Sequence, residues 1–144
     1  MLKGIDPILT PELLFALRAM GHGDEIAIVD ANYPAESAGT QVIRLPGSSA
    51  VQALDAVLSL MPLDDFEPES AWRMEVVGAP KREEPIFDEF RKTIAARAGE
   101  RFKLGRVERF RFYDRVADCF AVVATGETRL YGNVILKKGV IRSE

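Results

Sequence analysis

Met20-Gly21-His22-Gly23-Asp24-Glu25, then Ile26-Ala27-Ile28-Val29, then Asp30-Ala31-Asn32-Tyr33-Pro34, run without a break over residues 20–34. The middle block is short, apolar and rich in Ile and Val, the signature of a buried strand. Gly21 and Gly23 lack a Cβ, so the backbone on either side of His22 can turn tightly. The stretch therefore predicts a helix that ends at Gly21, His22 in a tight turn, a strand over residues 26–29, and Asp30 where the strand runs out. At ~3.3 Å per residue, His22 and Asp30 stand more than roughly 20 Å apart. One pocket can hold both only if another segment or another chain brings them together.

Helix-type and strand-type signals alternate on both sides of this stretch. Thr10 is a natural N-cap, Pro11 suits the first helical position, and Glu12 suits the positive helix end. Leu13, Leu14, Leu17 and Met20 then recur at helical spacing. After the polar loop 32–40, residues 41–45 read as a short strand closed by Pro46-Gly47. Ser48 or Ser49 caps a second helix that Pro62 stops. Asp64 and Asp65 lie in a loop, residues 72–77 form a strand, and a third helix runs over about residues 84–98 with an apolar stripe of Ile86, Phe87, Phe90, Ile94 and Ala95. Residues 104–112 alternate as a strand does, residues 112–118 offer a short helix, and residues 120–125 and 134–136 are strands. This interleaving predicts a single α/β domain, a three-layer α/β/α arrangement around a mixed β-sheet. The short link between the last two strands suggests that they pair antiparallel.

The chain has 144 residues, enough for one sizeable core. Its net charge of -3 argues against nucleic acid as a partner. The single cysteine, Cys119, excludes an internal disulfide and a cysteine-rich zinc site. Residues 1–7 lack the apolar segment of a signal peptide, and no run is long enough to span a membrane, so the expectation is a cytoplasmic protein with no membrane partner.

His22 is the only histidine. With an ordinary pKa near ~6.5 an imidazole can give or take a proton at neutral pH, and it can equally serve as a structural turn residue. A metal site built on His22, Asp24 and Asp30 lacks a second nitrogen or sulfur ligand, which disfavours zinc and leaves only oxygen-loving ions. Asp64 and Asp65, taken alone, read as solvated loop acids. In the basic-aromatic run 108–115, a strand would place Arg109, Arg111 and Tyr113 on one face and Phe110 and Phe112 on the other. Tyr131-Gly132-Asn133 would likewise put Tyr131 and Asn133 on one strand face, with Gly132 leaving room for a ligand. There is no phosphate-binding loop, dinucleotide fingerprint or Gly-x-Ser-x-Gly elbow, and no cofactor is expected.

Several of these segments together resemble one family. Residues 1–5, 11–14, 20–26, 30–34, 109–115, 125–127 and 131–139 match the L-fucose mutarotase branch of the sugar mutarotase and D-ribose pyranase family, and they run from end to end. Where ribose pyranases typically carry Gly-His-Thr-Asp and Tyr-Ala-Asn, this chain has Gly21-His22-Gly23-Asp24 and Tyr131-Gly132-Asn133. The resemblance implies interconversion of the α and β anomers of a free sugar, L-fucose or a similar monosaccharide. It implies His22 as proton donor, with Asp30, Arg109, Tyr131, Gly132 and Asn133 binding the sugar. Asp64 and Tyr113 match positions with a catalytic role in animal relatives. It also implies a homo-oligomer, a decameric ring with the site at a subunit boundary. The alternatives are ribose-pyranase activity on another sugar, or a sugar-binding regulatory protein without turnover.

Overall fold

The computed structural model describes residues 1–143. In chain order its elements are α1 (Pro11–Ala19), β1 (Glu25–Val29), a 3-10 turn (Glu36–Ala38), β2 (Gln41–Leu45), α2 (Ala50–Leu58), β3 (Ala71–Met74), α3 (Pro85–Arg97), β4 (Leu104–Val107), α4 (Arg109–Ala117), β5 (Ala121–Thr125) and β6 (Val134–Lys137). The helix starts follow their local chemistry. The Thr10 side chain accepts from the Leu13 amide, and Ser49 with Gln52 forms a reciprocal capping box at α2.

Among the described residues the strands form one six-stranded sheet in the order β2-β5-β1-β6-β3-β4. β1 and β2 each run parallel to β5, and β3 runs parallel to β4. β6 is antiparallel to both of its neighbours, β1 and β3. Apolar residues fill both faces. Ile26, Ile28, Val123, Val134 and Leu136 pack under α1, α2 and α3, around Leu13, Leu54, Phe87, Phe90 and Ile94. Ala27, Val29, Trp72, Val122 and Ile135 face the other way, against Phe112, Val116 and Cys119. The arrangement is the expected three-layer α/β/α with a mixed sheet.

Four local expectations are corrected. The strand over residues 104–112 stops at Val107, and Arg109 opens a helix instead. Glu108 is its N-cap and accepts from the amides of Phe110 and Arg111. Phe112 is fully buried while Phe110 is 65% exposed, so the two do not share a face as strand alternation requires. The buried pair of α4 is Phe112 with Val116, at helical spacing. The strand over residues 72–77 begins a residue earlier and ends at Met74, short of the turn at Gly78. β6 is antiparallel as expected, but β5 is not its partner, because the 126–133 loop carries the chain across the end of β1. That loop is tied down by Glu127, whose carbonyl accepts from Ala31 and whose buried carboxylate accepts from Ala50 at the start of α2. Finally, α1 ends because Met20 turns extended, not through a left-handed Gly21. Of the two glycines flanking His22, Gly23 is the one with positive φ, at 89°.

Five strands run one way and β6 runs against them. The C-terminal ends of β1, β3 and β5 therefore open on one edge of the sheet, where ligands of open α/β sheets usually bind. The start of β1 meets the end of β6 on the opposite edge.

Candidate active site

At the C-terminal edge lies a cavity of about 400 Å³, lined among others by Asp30, Tyr33, Arg109, Tyr113, Tyr131 and Asn133. That volume lies within the range of small-molecule sites. Each polar wall has a local origin. Asp30 ends β1; its backbone N–H donates to Asn133 Oδ1 at 2.8 Å, and its carboxylate accepts from the Asn32 amide at 2.9 Å. Burial pushes the Asp30 carboxyl above its ordinary value, more than the N–H donors of Asn32, Gly132 and Asn133 pull it down. Arg109 and Tyr113 are one helical turn apart on α4, and Arg109 Nε donates to Tyr113 Oη at 3.1 Å. That hydrogen bond holds the Arg109 pKa above its usual value.

Tyr131 adopts φ 61°, a left-handed conformation that costs a non-glycine residue about 1–3 kcal/mol. Its hydroxyl accepts from the Val77 amide at 3.1 Å, which ties the strained turn to the end of β3. Tyr131 and Asn133 both line the cavity, through this turn rather than through strand alternation. Gly132 differs from expectation in what fills its side: a Cβ there would lie 2.8 Å from Glu127 Cγ. Its missing side chain makes room for the protein's own packing.

The remaining candidates sit at the other edge. His22 Nε2 is 2.8 Å from Asp64 Oδ1. The imidazole is 40% exposed and the carboxylate only 1%. A carboxylate accepts, so Nε2 carries the proton of this bond and Nδ1 is left for an outside partner. Main-chain bonds from the end of β6 and the residue after it fix both members. Gly23 N–H donates to Lys138 O at 2.9 Å, and Asp64 N–H donates to Lys137 O at 3.0 Å. Lys138 Nζ reaches the Leu17 and Met20 carbonyls at 2.7 and 2.6 Å, closing the last turn of α1. Asp64 is thus not a solvated loop acid, and Asp30 makes no contact with His22.

The structure therefore gathers Asp30, Arg109, Tyr113, Tyr131, Gly132 and Asn133 at one edge and joins His22 to Asp64 at the other. It adds residues the sequence did not flag. Tyr33, Met74, Val77 and Leu130 complete the cavity wall. Tyr33 lies inside the opening stretch, and its phenol is driven well above its usual pKa by burial, with Tyr113 adding to the effect. Met74 ends a buried strand, Val77 lies just beyond it, and neither gives a polar signal. The exposed ring of Phe66 lies 4.7 Å from the imidazole, centroid to centroid. Arg115 belongs to the fold: it makes a two-point pair with Glu25 at 2.9 and 2.7 Å and stacks 3.7 Å over Trp72. Cys119 is buried, and that burial raises its thiol to about 12, too high for a reactive thiolate. Among the described residues no three His, Cys, Asp or Glu side chains gather as metal ligands, and no helix is long and apolar enough to cross a membrane.

The chain is 49% identical over 146 residues to human fucose mutarotase, covering 97% of this chain and 94% of that one. Its fold is similar to the fucose mutarotase of Streptococcus pneumoniae, solved in complex with L-fucose, with a TM-score of 0.90, 42% identity and coverage of 98% of this chain and 100% of that one. Bacillus subtilis RbsD, solved with D-ribose, is more distant, at a TM-score of 0.73 and 25% identity over 99% of this chain and 100% of its own. Residues 3–141 match the model of the RbsD / FucU transport protein family, and the chain belongs to that family.

Proposed function

We propose that residues 1–144 act as one L-fucose mutarotase unit, an isomerase that interconverts the α and β anomers of the free sugar by general acid–base ring opening and closure. One observation carries this reading. A half-open imidazole is held at Nε2 by a buried carboxylate, in a chain whose human relative over 97% of its length is a fucose mutarotase. The S. pneumoniae relative, solved with L-fucose, is closer in fold and sequence than the ribose-bound one, which favours fucose over ribose.

The chemistry needs two proton movements. Protonated His22 gives a proton from Nδ1 to the ring oxygen, while the anomeric hydroxyl loses its proton through water. The bond between C1 and the ring oxygen breaks and an aldehyde forms. Rotation presents its other face, and the reverse steps close the ring. Each assisted proton transfer contributes about 10²–10⁴-fold. Asp64 acts through His22, holding one tautomer and one ring orientation. The Tyr113 oxygen already accepts from Arg109, so its O–H is left to donate to the sugar. Arg109 and Asn133 offer donors to adjacent hydroxyls, and Asp30 accepts from one.

The dyad and the pocket stand at opposite ends of β1, roughly 20 Å apart by strand rise. A neighbouring copy that lays its His22 edge against the pocket would complete the site, and we place the protein in a cytoplasmic homo-oligomer, a decamer of such shared sites. No cofactor enters the scheme.

Saturation-transfer NMR between anomeric protons tests it. Fast exchange of L-fucose that falls by about 10²-fold or more in His22→Ala is expected. Binding without accelerated exchange would turn the protein into a sensor. Exchange confined to D-ribose would move it to the pyranase branch.

A further inference from the structure

Phe66 is 63% exposed. It is held there by its neighbours. Asp64, two positions earlier, is bonded to His22. Asp65 accepts from Arg101 at 3.1 Å and from both terminal nitrogens of Arg142, at 2.8 and 3.0 Å. The Arg142 guanidinium lies 5.3 Å from the Phe66 ring centre. On its other flank the ring tilts 57° to the imidazole at 4.7 Å. The result is an ordered apolar surface directly beside the proposed proton donor.

The chemistry of the substrate says what meets it. In a pyranose the ring oxygen is bonded to C5, and in L-fucose C5 carries a methyl group. A ring oxygen within hydrogen-bonding reach of His22 can therefore bring that methyl into van der Waals contact with a group flanking the imidazole. We propose that Phe66 is a specificity-determining residue that selects a 6-deoxy sugar, its exposed ring receiving the C5 methyl while His22 serves the ring oxygen. The assignment rests on the mutarotase reading above. A sugar with no C5 substituent gains nothing from this surface.

D-Arabinose supplies the control, because its pyranose has the ring stereochemistry of L-fucose and lacks only the methyl. The measurement is kcat/KM for anomer exchange of both sugars in wild type, Phe66→Ala and Phe66→Leu, with circular dichroism to verify folding. Wild type should prefer L-fucose. Phe66→Ala should lower the L-fucose value by about 4- to 10-fold, the worth of one buried methyl contact, and leave D-arabinose nearly unchanged. Phe66→Leu should keep most of the preference. An equal loss on both sugars in Phe66→Ala would mean that the ring merely steadies His22, and would overturn the assignment alone. So would an unchanged ratio, or a Phe66→Leu variant that loses the preference as fully as Phe66→Ala. A wild-type protein that accelerates neither sugar overturns this assignment together with the mutarotase reading.

Discussion

The two ends of β1 are built by different means. At the N-terminal end the main chain does the positioning. β6 and the residues after it hold the Met20–Gly23 turn through Lys138, and the Pro62–Asp64 segment through Lys137 and Gly139, whose N–H donates to Pro62 O. A Cβ on Gly139 would lie only 2.4 Å from Leu63 O, so the close approach of these backbones requires glycine. At the C-terminal end side chains from several elements converge, and the turn at Tyr131 is strained into a left-handed conformation to present them. The first arrangement suits a proton donor, whose single nitrogen needs one fixed position. The second suits a binding wall, which needs many donors and acceptors around one cavity. Neither end has the parts of the other.

The strongest way to break this comparison is to separate the two ends genetically. Arg109→Ala removes pocket donors, and His22→Ala removes the proposed acid. Each variant alone should lose most of its exchange activity. Dissociated and reassembled together at equal amounts, they should regain roughly a quarter of wild-type exchange, since that fraction of sites pairs an intact dyad with an intact pocket across a head-to-tail interface. No recovery would place both halves of the site in one chain.

A smaller effect sharpens the role of the dyad. Asp64→Asn keeps the shape of the buried carboxylate but offers an amide that can donate to Nε2 and admit the wrong tautomer. L-Fucose exchange should fall by about 10- to 100-fold with little change in sugar affinity, because Asp64 does not line the pocket. His22 is the only histidine, so its ring nitrogen resonances report the tautomer without ambiguity. An unchanged tautomer together with an unchanged rate would remove Asp64 from the mechanism.

The smallest effect probes the other end. The folded state raises the Asp30 pKa, chiefly by burial, so folded Asp30 holds its proton at pH values where the unfolded chain has lost it. Its contribution to stability is therefore most favourable below the unfolded value of about 3.8, and declines as pH rises through the raised folded value. Asp30→Asn should abolish that decline. Relative to wild type, the variant should gain stability between acid and neutral pH, measured as the difference between the two denaturation curves at each pH. A difference that stays flat with pH would show that the donors around Asp30 cancel its burial, and one that runs the other way that they outweigh it.

Much of the fold was legible along the chain because its signals are local. Thr10 and Ser49 cap helices through bonds to residues three positions on, and the apolar stripe of α3 repeats within its own length. The 108–115 run misled because Arg-Phe-Arg-Phe imitates a period of two, whereas the burial of Phe112 and Val116 follows a period near four. The site candidates were recognisable by resemblance, but their partners were not. Nothing near Asp64 in sequence points to His22, and the two are 42 positions apart. The apolar wall of Met74, Val77 and Leu130 carries no chemical signature at all until it is seen facing a cavity.

By itself the sequence determined the composition of the layers, the starts of α1 and α2, and the separation of His22 from Asp30 by the length of one strand. Those follow from capping, periodicity and strand rise, which act over a few residues. Tertiary structure alone decided that β6 lies between β1 and β3, that His22 meets Asp64, and that Arg109 with Tyr113 lies across a cavity from Tyr131. Those depend on which distant segments bury their apolar faces together, and no local pattern encodes that choice.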